Sequence, residues 1–157
     1  MRIESKHPSY DRRTVGRAVR WAAKQIGLET AVLKTLKIEV GFRRSRYGTD
    51  WGGWYHHTGR RVLVLLPRSP DKEYPEGVGW NGAEEDRQAL DELELFVSIL
   101  AHELEHARCY AAARTYRQQR TLNREDRVRA VDWRAVLEFR KDRDRILESW
   151  RKPCPTT

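Results

Sequence analysis

Cysteine and long apolar runs are scarce in this sequence. Only Cys109 and Cys154 occur in 157 residues, and two thiols are too few for a disulfide scaffold. No apolar run reaches the roughly 18 residues that a transmembrane helix needs. The first residues also contain no apolar stretch, so no secretory signal peptide is expected. These absences predict a reduced, cytoplasmic protein with no membrane partner.

Acidic residues are fewer than basic ones. The chain has 31 basic and 23 acidic residues, a net charge of +8, and 24 of the basic residues are arginine. This excess favours anionic partners such as nucleic acid, although arginine can equally well solvate helix faces. With 39% hydrophobic and 34% charged residues, we expect a compact core under a charged surface. The length predicts a single domain over 1–157, with flexible tails at 1–10 and 151–157.

The first half of the chain predicts a helix followed by a small β-sheet. Apolar residues recur at helical spacing over 11–25, and Gly27 is a natural stop. A short helical turn is expected at 28–36. Strict alternation over 37–42 predicts a half-buried strand. The apolar run Val62–Leu66 predicts a central strand covered on both faces, with a further short strand around 54–57.

The second half predicts two helices after a long loop. Three prolines and three glycines over 67–83 indicate a loop without regular structure. Neither glycine nor proline interrupts 90–115, where a helix is predicted. A turn over 118–123, with Asn123 as N-cap, would lead into a long C-terminal helix over 124–150. The fold class expected is therefore α+β.

The motif His-Glu-x-x-His lies in the predicted 90–115 helix. His102 and His106 are four residues apart, so both imidazoles project from one face and can reach a single Zn²⁺. Glu103 is rotated by about 100° from His102, where it can act on a water rather than on the metal. This arrangement is typical of zinc hydrolases. The alternative is a pair of solvated histidines beside acidic neighbours.

The residues before the motif fit a buried helix. Phe96, Ile99 and Leu100 have the spacing of an apolar stripe. Asp91, followed three positions later by Glu94, can form a capping box at the helix start. The motif is therefore expected in the middle of a packed helix.

A catalytic zinc normally takes a third protein ligand. On the C-terminal helix, with Val128 at 0° in the buried stripe, Glu125 lies near 60° and Asp132 near 40° at about 100° per residue. Asp126 falls at about 160°, towards solvent. Helix geometry therefore leaves two candidates, Glu125 and Asp132.

These residues together resemble a zincin metallopeptidase, in particular the gluzincin branch. The resemblance implies a zincin-like fold over about 37–140, Zn²⁺ as cofactor, His102 and His106 as ligands, and Glu103 as general base. It also favours Glu125 as third ligand, whereas Asp132 would resemble the aspartate-ligand zincins. The metzincin extension is absent, because Cys109 stands where that branch has glycine.

The function expected is that of a zinc-dependent metallopeptidase, which hydrolyses peptide bonds of a protein or peptide substrate. The alternative is a basic nucleic-acid-binding domain with a structural or degenerate zinc site, or a peptidase that acts on DNA-associated proteins. Trp51, Trp54 and Tyr55 motivate this alternative, since aromatic rings can stack on bases. A salt-dependent affinity for DNA that survives His102→Ala would distinguish the DNA-binding domain from the peptidase.

Four other side chains could contribute to a site. Cys109 lies on the motif helix and could bind zinc, but a small buried residue is its more common role. Tyr110 could donate to an oxyanion, although a packed aromatic is favoured. His56 and His57 could line a cleft, yet surface loop positions are favoured for both.

Overall fold

The computed structural model describes residues 1–42, 52–66 and 91–151. Within these residues the chain forms six helices and a four-stranded sheet, which confirms the α+β class. In chain order the elements are β1 (Arg2–Ser5), α1 (Arg12–Gln25), α2 (Thr30–Thr35), β2 (Lys37–Phe42), β3 (Gly52–His56), β4 (Arg61–Leu66), α3 (Glu92–Ala112), α4 (Tyr116–Leu122), α5 (Glu125–Lys141) and α6 (Arg143–Arg151). Among the described helices, none has the length and apolar character needed to span a bilayer. The predicted loop at 67–83 lies outside the described residues.

The sheet has the order β1-β2-β4-β3. β1, β2 and β4 run parallel, and β3 pairs antiparallel with β4 at the end of the sheet. The predicted strands over 37–42, 62–66 and near 54–57 are confirmed. On β4, Val62, Val64 and Leu66 are fully buried, whereas the alternating Leu63 and Leu65 are only half-buried. One face of β4 is therefore buried as predicted, whereas the other face is only partly covered, contrary to the prediction.

The prediction of a flexible lead over 1–10 is wrong for its first half. Arg2–Ser5 form β1, which pairs with β2 in parallel register. Ile3 packs against the core, while Glu4 forms ion pairs with Arg2 at 2.8 Å and Lys37 at 3.4 Å. Four residues are too few for a clear alternation in sequence, and the stabilising partner lies more than thirty positions away.

Helix α3 is the central helix of the described structure. It packs against α1 and α5 and also against β3 and β4. Its predicted N-cap is confirmed, because the Asp91 carboxylate accepts a hydrogen bond from the Glu94 backbone N–H at 3.0 Å. The Glu94 side chain does not complete a capping box, since its carboxylate binds Arg140 on α5. Helix α3 is thus buried on nearly every side, rather than on one stripe.

The C-terminal region differs from the prediction in two ways. The long helix predicted over 124–150 is interrupted at Asp142, between α5 and α6. This break lets Trp150 fold back to stack on Phe139, with ring centroids 5.8 Å apart. The segment predicted as a turn at 118–123 is instead part of α4, which is capped by Thr115. Neither change is marked by glycine or proline, so sequence punctuation does not reveal them. The predicted tail at 151–157 lies outside the described residues, apart from the helical end of α6.

Helix α5 lies beside α3 and runs antiparallel to it. The end of α5 meets the start of α3 through Arg140 and Glu94, which are 2.8 Å apart. The middle of each helix meets through Asp132 and His102. The start of α5 therefore lies beside the second half of the His-Glu-x-x-His motif.

Candidate metal centre

The two motif histidines meet inside the fold. His102 and His106 are both buried, and their Nε2 atoms are 3.1 Å apart. Their rings stand nearly perpendicular, with an interplanar angle of 78°. The helical spacing read from the sequence therefore does bring two ring nitrogens to one point.

Glu125 supplies a third donor at the same point. It is the first residue of α5, and its two carboxylate oxygens lie 3.3 Å from His102 Nε2 and 3.4 Å from His106 Nε2. The side chain is 59% exposed, so the cluster opens towards solvent. Within the described residues, these three side chains form a group of His and Glu that could hold a metal ion.

Asp132 and Asn123 hold the histidines from behind. The His102 Nδ1 atom lies 2.7 Å from an Asp132 oxygen, and the His106 Nδ1 atom lies 2.6 Å from the Asn123 side-chain oxygen. Asp132 therefore contacts the edge of the His102 ring opposite to Nε2. The alternative that Asp132 is the third ligand disagrees with this geometry. Asn123 is not the N-cap of α5, since that position belongs to Arg124.

These contacts favour one tautomer of each histidine. An amide oxygen and a carboxylate oxygen can only accept, so each Nδ1 carries the donated hydrogen. In the neutral form of both rings, each Nε2 then carries a lone pair, and the two Nε2 atoms lie next to each other. Two lone pairs at 3.1 Å repel unless a proton or a cation lies between them. Ligating histidines are oriented in the same way by acceptors on the other ring nitrogen.

The spacing of the donors suits zinc. A tetrahedral zinc with ligands at about 2.0–2.1 Å requires donor atoms about 3.3 Å apart. The two histidine nitrogens are 3.1 Å apart, and they lie 3.3 and 3.4 Å from the two different oxygens of the Glu125 carboxylate. Two imidazoles and one carboxylate are a ligand set found in catalytic zinc sites.

Burial and neighbouring charge act on both histidines. Burial lowers the pKa of His102, but the hydrogen bond and negative charge of Asp132 outweigh it, so the pKa is raised overall. Burial also lowers the pKa of His106, and there it prevails over the hydrogen bond to Asn123. At His102 the carboxylates of Asp132, Glu103 and Glu125 all favour the positively charged ring.

Glu103 lies against β3 beside the histidines. It is buried, and the Tyr55 backbone N–H donates a hydrogen bond to its carboxylate. Burial raises the pKa of Glu103 to about 7. A carboxyl group with this pKa can both accept and return a proton near neutral pH. The carboxylate is not one of the clustered donors, in agreement with its predicted separation from the ligands.

Gly53 allows β3 to approach Glu103. A Cβ atom at this position would lie 2.6 Å from Glu103 Cγ and 2.6 Å from Ile99 Cγ2. Real Cβ atoms essentially never come so close, and both neighbours belong to a packed helix. The glycine is therefore required by the closeness of β3 to α3, and the sequence alone gave no sign of this.

Gly53→Ala should destabilise the protein by about 1–3 kcal/mol, because the added methyl overpacks the contact between β3 and α3. It should also displace Glu103 and so reduce any activity of the site. The measurement is urea unfolding, with Gly41→Ala as control. A Cβ at Gly41 meets only Leu65, at an ordinary 3.4 Å. Equal stability of the two variants would show that the close approach imposes no constraint.

An open cleft of about 330 Å³ connects this centre to solvent. Its lining consists of Gly53, Trp54, Tyr55, His102, Glu103, His106, Tyr110, Asn123, Glu125 and Arg129. The cleft thus contains every clustered donor, Glu103 and one arginine. Arg129 and Asn123 also line the cleft, and the sequence had named neither as a site residue.

The other candidate residues take structural positions. Cys109 is buried and its thiol donates to the Leu122 carbonyl at 3.2 Å, while burial raises the pKa of this thiol to about 11. It therefore anchors the end of α4 as a neutral thiol and is not in the donor cluster. Tyr110 packs between Tyr55 and His57, whose ring is stacked on it at 4.9 Å. His56, at the end of β3, is exposed.

Exposed aromatic side chains and positive charge motivate the nucleic-acid alternative. Trp54 is 45% exposed at the cleft, and Trp51 lies outside the described residues. Arg114 and Arg117 line an open hollow of about 580 Å³ between α3 and α4. Positive charge is therefore present on this surface, and nucleic-acid binding stays a prediction.

No family model matches this chain, and no curated protein or solved structure matches it.

Proposed function

We propose that this protein is a zinc-dependent metallopeptidase with a zincin-like fold. His102, His106 and Glu125 would hold the zinc, and Glu103 would be the general base. One observation carries the proposal: two imidazole nitrogens 3.1 Å apart each lie within 3.4 Å of an oxygen of the Glu125 carboxylate, and Glu103 lies in the same cleft. The hydrogen bonds from both imidazoles to Asp132 and Asn123 support the proposal, because they turn the two Nε2 atoms towards the same point beside Glu125.

The residues of the cleft provide the steps of an amide hydrolysis. When bound, zinc supplies Lewis acidity, which polarises a carbonyl group and acidifies a water molecule. Glu103 accepts a proton from the attacking water, whose oxygen bonds to the carbonyl carbon. As the C–N bond breaks, Glu103 returns that proton to the leaving amine. The Tyr55 N–H orients the Glu103 carboxylate during both transfers.

A peptide substrate fits the position of β3. This strand ends the described sheet order, and Gly53, Trp54 and Tyr55 line the cleft. An extended peptide can pair with a strand edge through backbone hydrogen bonds. Such pairing would lay a peptide bond across the cleft between Glu103 and Glu125.

Removal of Glu125 should abolish tight zinc binding. In Glu125→Ala only the two histidines remain as ligands. Loss of a residue that hydrogen-bonds to a metal ligand lowers the affinity for the metal by about 10- to 100-fold, and we expect loss of Glu125 itself to lower the zinc affinity further than that. In Asp132→Ala the zinc affinity should fall by only about 10- to 100-fold, because Asp132 contacts His102 at Nδ1 and not at the proposed metal position. The measurement is zinc content by elemental analysis and zinc affinity by competition with a chromophoric chelator.

Asp126→Ala is the matched control, since Asp126 follows Glu125 on the same helix and pairs with Arg124 at the surface. It should bind zinc like the wild type. Tight zinc in Glu125→Ala with loss in Asp132→Ala would reverse the ligand assignment. A purified wild type with no zinc and no affinity for it would overturn the proposed function.

A further inference from the structure

Arg129 is a cationic side chain of the cleft to which the proposed mechanism gives no role. It lies four residues after Glu125 on α5, and so on the same face one turn further along. It lines the cleft together with Glu103 and His106. Its Nε atom is buried and has no hydrogen-bond partner.

Two partly buried arginines on α3 and α5 are paired with acids. Arg108 binds Glu105 with two hydrogen bonds, and Arg140 binds Glu94 in the same way. Within the described part of the chain, Arg129 forms no ion pair with any carboxylate. Burial raises the pKa of Asp132 overall, although the positive charge of Arg129 acts to lower it. The Oδ2 atom of Asp132 is hydrogen-bonded to His102, and Arg129 and Asp132 form no ion pair. The guanidinium therefore keeps its donors for a group that enters the cleft.

We propose that Arg129 binds a carboxylate of the substrate, so that the cleft selects peptides that present a carboxylate beside the cleaved bond. The inference rests on the proposed peptidase function and names its substrate class. A guanidinium presents donors in a planar fork that matches the two oxygens of a carboxylate. The carboxylate comes either from an aspartate or glutamate side chain near the cleaved bond or from the C-terminus of the peptide.

A series of matched peptides tests the inference on the zinc-loaded protein. One peptide carries an internal glutamate with an amidated C-terminus, and a second carries glutamine at the same place. A third has glutamine and a free C-terminal carboxylate. Hydrolysis is followed by kcat and KM, and binding is followed by fluorescence anisotropy. The glutamate peptide identifies a side-chain site, and the third peptide identifies a C-terminal site.

We expect the wild type to favour one carboxylate peptide over the neutral peptide by about ten- to a hundredfold, mostly through KM and binding affinity, as for a hydrogen bond to a charged group. Arg129→Gln should remove this preference and leave kcat/KM for the neutral peptide near the wild-type value. Arg129→Lys should restore part of it, because the charge returns without the fork. Arg134→Gln, an exposed arginine of the same helix, should keep the full preference.

Two results would overturn the inference. One is a wild type without preference for either carboxylate peptide. The other is an equal loss for acidic and neutral peptides in Arg129→Gln, which would assign Arg129 a structural role. If no peptide is hydrolysed, the proposed function fails instead, and the anisotropy measurement still decides whether Arg129 binds carboxylates.

Discussion

Glu103→Gln should lower kcat for peptide hydrolysis by about 10²- to 10⁴-fold, the usual contribution of a general base. The amide keeps the size of the side chain and can still accept the hydrogen bond from Tyr55, but it cannot take a proton from water. Because the carboxylate is not one of the clustered donors, bound zinc should stay at the wild-type level. The measurements are steady-state kinetics and zinc content on the same preparation.

Glu105→Gln provides the matched control for this result. Glu105 is also a buried glutamate of α3, but it binds Arg108 and lies outside the cleft. Its variant should retain kcat within a few-fold of the wild type. The role of Glu103 would be refuted if Glu103→Gln kept more than about a tenth of the wild-type kcat with zinc bound, since a lost base costs more than that.

Arg140→Ala should lower the free energy of unfolding by about 3–5 kcal/mol, the range for a buried ion pair that loses one partner. The Glu94 side chain is only 1% exposed, and its carboxylate oxygens lie 3.0 and 2.8 Å from two nitrogens of Arg140. Arg143 is a further cation at 3.6 Å, but it is also bound to Asp91. Removing Arg140 therefore leaves a buried carboxylate poorly compensated. Denaturant unfolding at neutral pH measures the loss.

A double variant and a surface variant make this prediction specific. Glu94→Leu combined with Arg140→Met removes both charges and should be more stable than Arg140→Ala alone, since no buried charge remains. Lys141→Ala breaks an exposed pair with Glu138 on the same helix and should cost at most about 1 kcal/mol. If Arg140→Ala cost no more than Lys141→Ala, the ion pair would not hold α5 against α3.

The local part of the candidate site could be predicted from the sequence. The four-residue spacing of His102 and His106 fixes their common face, because helix geometry acts between near neighbours. The Asp91 cap, the helix before the motif and the alternating strand over 37–42 follow from similarly short patterns. Helix geometry also limited the candidates for the third donor to Glu125 and Asp132. Both acids lie within about 60° of the buried stripe of α5, so their angular positions on the helix do not show which of them is the donor.

The position of α5 along α3 separates these two acids. With Arg140 beside Glu94, the start of α5 reaches the Nε2 atoms of the two histidines, and its middle reaches Nδ1 of His102. Asn123 was predicted as a cap from local preference, yet its side chain binds His106 seventeen positions away. Local patterns contain no information about such partners.

The sequence by itself determined the α+β class, the strands from 37 onwards, the motif helix and the pair of histidines. These depend on backbone geometry and on apolar periodicity, both of which act within a few residues. Only the tertiary structure decided that Glu125 joins the donors, that Asp132 and Asn123 orient the imidazoles, and that Gly53 lets β3 reach Glu103. It also placed Arg129 in the cleft and recruited Arg2–Ser5 into the sheet. Each of these depends on the packing of segments distant in the chain, where one long-range contact selects among several locally equivalent choices.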